Sequence, residues 1–196
     1  MTDPKPPEFV DDVLLDDPAL GAPIERLPEL LEPVALAPGS LERLMTAVAE
    51  PPLRYAPFFE RLSEMYDLSE SDVRALLERS RNPSAWRRPP IPGLELLNVA
   101  VGPKLAGTHA YLGRFAAGMK FPKHRHAGHE DVLILEGSYT DSSGTVYRSG
   151  DVHHMDGASE HSFTIAPDEP CVAAAVHRGI RFSSLGLRVL AKLFGD

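Results

Sequence analysis

The sequence predicts a mainly β protein, a sandwich or barrel of short antiparallel strands, with an N-terminal helical segment and a C-terminal helix. Apolar residues recur at helical spacing before residue 80 and again after residue 183. Prolines, 19 in all, cluster at the joints, most densely at 83–92. After Gly93, short stretches of β-branched and aromatic residues alternate with Gly, Asp and Ser turns, which is typical of an all-β fold.

Four helices are predicted before the proline-rich joint. The first covers residues 23–31, and Ser40 is the expected N-cap of the second. Pro57 suits the first turn of a third helix, and Ser69 with Asp72 has the spacing of a capping box ahead of a fourth. The apolar residues expected on one face are Leu41, Leu44, Met45 and Val48 for the second helix, Phe58, Phe59, Leu62 and Met65 for the third, and Val73, Leu76 and Leu77 for the fourth.

Short strands are predicted after the joint. They include 108–115, 132–135, 138–140, 145–148, 161–165 and 172–177. Residues 141–144, Asp-Ser-Ser-Gly, are the expected hairpin loop between two of them.

Composition and charge restrict the classes of function. The net charge is −8, and the first twenty residues hold six acidic side chains against Lys5. An acidic chain repels phosphates, so direct nucleic-acid binding is not expected. We find no apolar run long enough to span a bilayer and no signal peptide, and therefore expect a cytoplasmic protein without a membrane partner. The lone Cys171 is expected as a small buried hydrophobe.

A histidine-rich segment carries the strongest chemical signal. His124, His126 and Glu130 follow the pattern His-x-His-x3-Glu, flanked by Gly118 and Gly137. Side chains two apart on a strand share a face, so the two histidines can converge on one ion, and Glu130 keeps that parity. The glycines suit tight turns before and after the strands. The segment therefore predicts a metal site.

This segment resembles the first motif of the cupin superfamily, Gly-x5-His-x-His-x3,4-Glu-x6-Gly, at every fixed position. The second cupin motif is matched by Gly150 and His161, while Asp156, Ala158 and Ile165 replace its Pro, Gly and Asn. In cupins the last histidine of the second motif completes the metal site. The resemblance therefore implies that His161 is the fourth ligand.

The cupin resemblance also implies a single-domain jelly-roll β-barrel that holds one divalent metal ion. Three imidazoles and one carboxylate, without a thiolate, suit Zn, Fe, Mn, Ni or Co, and the family resemblance favours Zn. The expected regions are an acidic flexible tail at 1–22, a helical N-terminal region at 23–85, the cupin barrel at 90–182 and the C-terminal helix at 183–196.

Three further residues, Tyr139, His154 and His177, are candidates for the lining of a pocket. His153 and His154 adjoin the second motif, and either is a candidate to face the barrel. Catalytic residues are not identified, because the remaining candidates for a general base, these three and Glu136, lack a supporting motif.

Roughly residues 40–180 resemble the ChrR-type anti-sigma factors, most clearly in the barrel. The similar features are, in order, the helical stretch 53–62, Trp86, and residues 92–97, 121–126 and 132–139. In that family a helical N-terminal domain holds an alternative sigma factor, and a cupin-like C-terminal domain binds metal and governs its release. The family's N-terminal domain also has a zinc site built from His and Cys. No His or Cys precedes His109 here, so that second site is not expected.

Two main functions remain open. A ChrR-like regulator or metal sensor would have a sigma factor or another regulatory protein as its partner, with room for at most one small ligand at the metal. A non-haem metal-dependent dioxygenase, or a related enzyme acting on a small molecule, would need a pocket of some hundreds of Å³ beside open metal positions. A storage or scaffold protein is a third option. A homodimer is expected, because cupins commonly pair through exposed strands.

Overall fold

The computed structural model describes residues 37–157 and 160–182. The chain divides into two units between Arg43 and Leu44. In the described part of the first unit, residues 37–43, Arg43 donates hydrogen bonds to the carbonyl oxygen of Pro38 and to Ser40 Oγ. The tail predicted at 1–22 and the helices predicted at 23–31 and 183–196 lie outside the described residues.

Four described α-helices precede the β-structure. They are α1 (Ser40–Ala49), α2 (Pro51–Arg54), α3 (Phe59–Tyr66) and α4 (Glu70–Arg79). Ser69 is the N-cap of α4, and its Oγ accepts a hydrogen bond from the backbone N–H of Asp72, which confirms the predicted cap. Pro57 lies in a 3₁₀ turn, Ala56–Phe58, that leads into α3. None of the described helices combines the length and the apolar character needed to cross a membrane.

The helices differ in what covers their apolar faces. The buried residues are Phe59, Leu62 and Tyr66 on α3 and Val73, Leu76 and Leu77 on α4. The face predicted for α4 is therefore confirmed. On α1 the side chains of Leu44, Met45 and Val48 stay 58, 59 and 42% exposed. Apolar spacing predicts a helix and its face, but not the partner that covers the face.

Two antiparallel sheets form the body of the protein. The strands are β1 (Leu94–Asn98), β2 (His109–Phe115), β3 (Lys120–His126), β4 (Glu130–Glu136), β5 (Ser138–Asp141), β6 (Val146–Arg148), β7 (Val152–Met155), β8 (Glu160–Ile165), β9 (Cys171–His177) and β10 (Ile180–Phe182). The first sheet has the order β1-β2-β9-β4-β7, and the second sheet has the order β10-β3-β8-β5-β6. The mainly β, cupin-like fold is as predicted, but the described strands form two separate sheets and not one closed barrel.

Strand alternation directs the residues of β4 into two cores. Leu133 and Leu135 pack with α3 and α4, whereas Ile134 packs with residues of the second sheet. The first sheet is therefore covered on both faces, by helices on one side and by the second sheet on the other. The helices and the first sheet share one core. The boundary at residues 85–90 between the helical region and the barrel stays a prediction.

Hydrogen bonds tie α3 to the first sheet and to the turn before β7. Tyr66 Oη donates to the carbonyl oxygen of Tyr111 at 2.7 Å, and both groups are buried. Arg61 Nη1 donates to the carbonyl oxygen of Gly150 at 2.6 Å. These contacts fix α3 against strands that also line the interior between the sheets.

Candidate metal centre

Four side chains, drawn from both sheets, converge between them. His124 and His126 lie on β3, His161 lies on β8 and Glu130 begins β4. All four residues are buried, and their donor atoms lie within 4.8 Å of one another. The structure thus brings together the four residues that the sequence predicts as metal ligands.

Backbone pairing explains how these side chains meet. The register between β3 and β8 places His124 opposite His161. Alternation along β3 returns His126 to the same side as His124. A bend at residues 127–128 then carries the chain from the second sheet to the first, so that Glu130 faces the histidines from the opposing strand.

The glycine that closes the first motif is required by the backbone. Gly137 has a φ of 68°, and a Cβ at that position would lie 2.2 Å from the carbonyl oxygen of Pro170. The tight turn takes the chain from β4 in the first sheet to β5 in the second. Gly118, just before β3, also has a φ of 68°. Both tight turns were predicted and are confirmed.

The donor atoms are spaced as the ligands of one ion are. His126 Nε2 lies 3.0 Å from His161 Nε2 and 2.8 Å from Glu130 Oε2. The distance from His161 Nε2 to Glu130 Oε2 is 3.8 Å. Two donor atoms bound at right angles about 2.1 Å from one ion lie about 3 Å apart. These residues therefore fit a divalent metal ion.

One histidine is held in the tautomer that a metal requires. His124 Nδ1–H donates to the carbonyl oxygen of Pro122 at 2.9 Å, which leaves the lone pair on Nε2. His126 Nδ1 and His161 Nδ1 are buried without a hydrogen-bond partner in the described part of the chain. The ring of His124 also packs edge-on against Phe121, with ring centroids 4.9 Å apart.

Burial lowers the pKa of several histidines in this region. It lowers the pKa of His161 to about 4 and holds the pKa of His124 well below its usual range, where the neighbouring imidazoles add to the effect. Burial, together with His126 and His109, lowers the pKa of His177 to about 3. Neutral imidazoles at pH 7 have the lone pairs that a metal ion needs.

A small, partly open cavity adjoins three of the four donor groups. Its volume is about 60 Å³, and His124, Glu130 and His161 contribute to its wall. Most of the other lining residues are apolar, among them Phe121, Phe163, Met155, Ala173, Ala175 and Ile180. A cavity of this volume holds about two to four water molecules, and an apolar cavity of ~150 Å³ is needed for benzene.

The predicted pocket residues have different positions. Tyr139 and His177 line the cavity. His154 does not line it, because alternation along β7 turns its side chain outward, where Nδ1 lies 2.6 Å from Asp131 Oδ1. His153 is the inward-facing member of the pair, and its burial matches that of Met155 two residues later. This alternation is the signal that could have separated the two histidines.

His153 belongs to a second polar cluster beside the cavity. Its Nδ1 lies 2.8 Å from Tyr139 Oη, and its ring stacks on Tyr147 with centroids 4.0 Å apart. His153 Nε2 lies 4.0 Å from Asp141 Oδ2. The cluster fixes the orientation of Tyr139, which sequence reasoning did not anticipate.

Two opposed antiparallel sheets, with three histidines and a glutamate converging between them, define the cupin class. Residues 81–181, just over half of the chain, match the family model of the ChrR cupin-like domain. The protein belongs to this family. No curated protein matches the sequence.

Solved structures with similarity to the chain include a regulator and an enzyme. The complex of SigE with the anti-sigma factor ChrR from Rhodobacter sphaeroides has 24% identity and a TM-score of 0.47, and the match covers 81% of this chain and 76% of that chain. An acetylacetone dioxygenase from Acinetobacter johnsonii has 15% identity and a TM-score of 0.46, with 54% and 76% covered. A cupin-like protein of unknown function from Ralstonia eutropha has 21% identity and a TM-score of 0.40, with 44% and 56% covered. Similarities at this level do not assign an activity to the chain.

Proposed function

We propose that the protein is a metal-dependent regulator of the ChrR type, which binds one divalent ion and controls a protein partner, an alternative sigma factor. The observation that supports this most strongly is the size of the cavity beside the donor groups, about 60 Å³. Pockets for drug-sized ligands occupy ~300–1,000 Å³. A cavity several times smaller suits a metal with a small ligand better than an enzyme site for an organic substrate.

His124, His126, Glu130 and His161 would hold the ion. Three neutral imidazoles and one carboxylate suit Zn first, with Fe, Mn, Ni and Co as alternatives. Such an ion supplies Lewis acidity and cross-links strands of both sheets. Because its ligands come from β3, β4 and β8, its removal frees the second sheet to move relative to the first.

The helices contact the strands that would move, so such a movement would reach them. Leu133 and Leu135, on the same strand as Glu130, pack in the core shared with α3 and α4. Arg61 on α3 also holds the turn at Gly150, ahead of β7. A shift of β4 that follows loss of the metal would therefore change how α3 and α4 pack against the first sheet.

The proposal that the partner is a sigma factor rests on membership of the ChrR family. Residues 1–108 hold no His or Cys, so they do not supply ligands for the N-terminal zinc site of that family. Partner binding would rest on the helices themselves, and the exposed side chains of Leu44, Met45 and Val48 offer an apolar surface. We further propose a cytoplasmic homodimer.

The test compares the metal-loaded chain with the chelated chain. Purified protein should contain about one metal ion per chain by elemental analysis. Chelation should increase protease cleavage at residues 82–92, and it should change the capture of alternative sigma factors from the same organism. A chain without stoichiometric metal would contradict the metal site. Equal sigma capture with and without metal would contradict the regulatory role.

A further inference from the structure

His177 is a buried polar group in the cavity wall that the metal site does not use. It ends β9, where the register places it opposite Glu130 on β4 and His109 on β2. The residue is 1% exposed. Its ring centroid lies 6.0 Å from that of His126, so it adjoins the metal-site residues without belonging to their donor set.

A backbone hydrogen bond decides which nitrogen of His177 has the proton. The N–H of Gly179 donates to His177 Nδ1 at 2.9 Å, so Nδ1 acts as the acceptor. A neutral imidazole with an accepting Nδ1 has its proton on Nε2. That Nε2 is buried and has no hydrogen-bond partner within residues 37–157 and 160–182. A buried donor without a partner is costly, which indicates that a ligand supplies the acceptor.

Charge indicates what kind of ligand this is. Glu130 is the only Asp, Glu, Lys or Arg among the described residues that line the cavity. A divalent ion, one carboxylate and neutral imidazoles together leave a net charge of about +1 in an apolar enclosure, and a buried charge needs a counter-charge. A single negative charge would balance it.

The volume limits the size of that ligand. About 60 Å³ admits a molecule comparable to two to four waters, and the apolar side chains of Phe121, Phe163 and Ile180 line the cavity. Azide and formate, each with three heavy atoms and acceptor atoms at its ends, have the required size and charge.

We infer that His177 is a ligand-binding residue whose Nε2–H donates a hydrogen bond to a small monoanion lodged beside the metal. The inference rests on the proposed metal site, and it names the chemical class of the signal that the regulator detects. Glu130 and the metal would hold the charge, and His177 would orient the anion.

The experiment uses the full chain loaded with Co²⁺ and titrated with azide, followed by the visible spectrum of the cobalt. Azide should change the spectrum of the unmodified protein. His177→Leu, which removes both ring nitrogens at similar size, should weaken azide binding by about 10- to 100-fold. His177→Gln retains an N–H donor near the position of Nε2 and should stay within about fivefold. His154→Leu is the matched control, because His154 is exposed and does not line the cavity.

A second measurement uses the unmodified chain and needs no substituted variant. In the Zn²⁺-loaded chain labelled with ¹⁵N-histidine, formate should shift the Nε2–H resonance of His177 and leave that of His154 unchanged. The inference is overturned if azide leaves the cobalt spectrum unchanged, if His177→Leu binds azide as tightly as the unmodified protein, or if the His177 resonance ignores formate. A chain that takes up no cobalt would instead overturn the proposed metal site.

Discussion

The two sheets differ in how they are covered, and the candidate metal site joins them. The first sheet has α3 and α4 on one face and the second sheet on the other, so residues on both faces of β9 are buried. In the second sheet, β3 alternates between exposed and buried residues. Three of the four donor residues belong to the less covered second sheet, and only Glu130 belongs to the first. A metal ion would therefore stabilise the layer that has less packing of its own.

This difference separates two sources of stability. Burial of apolar side chains holds the first sheet and the helices together without a ligand. Binding of a ligand to the native state adds stability only while the ligand is present. Loss of the metal should therefore loosen β3 and β8 before it loosens β2 and β9.

The largest effect is expected from His124→Ala, because it removes a buried donor from the second sheet. Metal affinity should fall by at least about 100-fold, beyond the range seen for groups that merely support a ligand. Competition with a chelator and elemental analysis measure it. His154→Ala should leave the affinity unchanged, since His154 is exposed. Full occupancy in a His124→Ala, His126→Ala double variant would rule out the site.

A core substitution should show the contrast between the sheets without any metal. Leu62 on α3 is fully buried in the core of the first sheet, and Leu62→Ala should lower the free energy of unfolding by about 2–5 kcal/mol. Val146, on the outermost strand of the second sheet, is 38% exposed, and Val146→Ala should cost less than about 1 kcal/mol. Urea unfolding of the chelated protein measures both. Equal losses would contradict the difference in packing.

Local spacing predicts the part of the site that lies within one stretch of chain. His124, His126 and Glu130 are close in sequence, so strand parity and two flanking turns suffice to bring them together. His161 comes from a distant strand, and its place opposite His124 depends on the register of β3 and β8, which the sequence alone does not specify. The prediction that His161 is a ligand therefore depended on the resemblance to the cupins.

The sequence could not predict which strand residues face inward or which apolar helix faces are covered by other parts of the protein. His154 was predicted to line the pocket, but β7 turns its side chain outward and that of His153 inward, since a shift by one residue reverses every side chain. The strands β1, β7 and β10 were not among the predicted strands. For α1 the helix was predicted correctly, but apolar spacing cannot say that Leu44 and Met45 stay exposed.

A moderate effect is expected from pH in the metal-free protein. Burial lowers the pKa of His177 to about 3, whereas an unfolded histidine titrates near pH 6.5. Between these values the unfolded chain binds more protons, so stability is full above about pH 6.5 and declines as the pH falls toward 3. Each such proton contributes a slope of about 1.4 kcal/mol per pH unit. Urea midpoints between pH 7 and 4 should follow this decline, and His177→Leu should make it less steep, although His124 and His161 contribute slopes of the same sign. An unchanged slope in that variant would contradict the assignment.

The smallest effect is expected from a single hydroxyl that ties the helices to the first sheet. Tyr66 is fully buried, and its Oη donates to the carbonyl oxygen of Tyr111 at 2.7 Å. Tyr66→Phe removes that bond and keeps the ring, so the free energy of unfolding should fall by about 0.5–1.5 kcal/mol. Tyr147→Phe is the matched control, because it removes the same atom from the half-buried Tyr147 of the second sheet, where the change should be smaller. If the two variants lose equal stability in urea, then the Tyr66 hydroxyl does not add to the attachment of α3 to the first sheet.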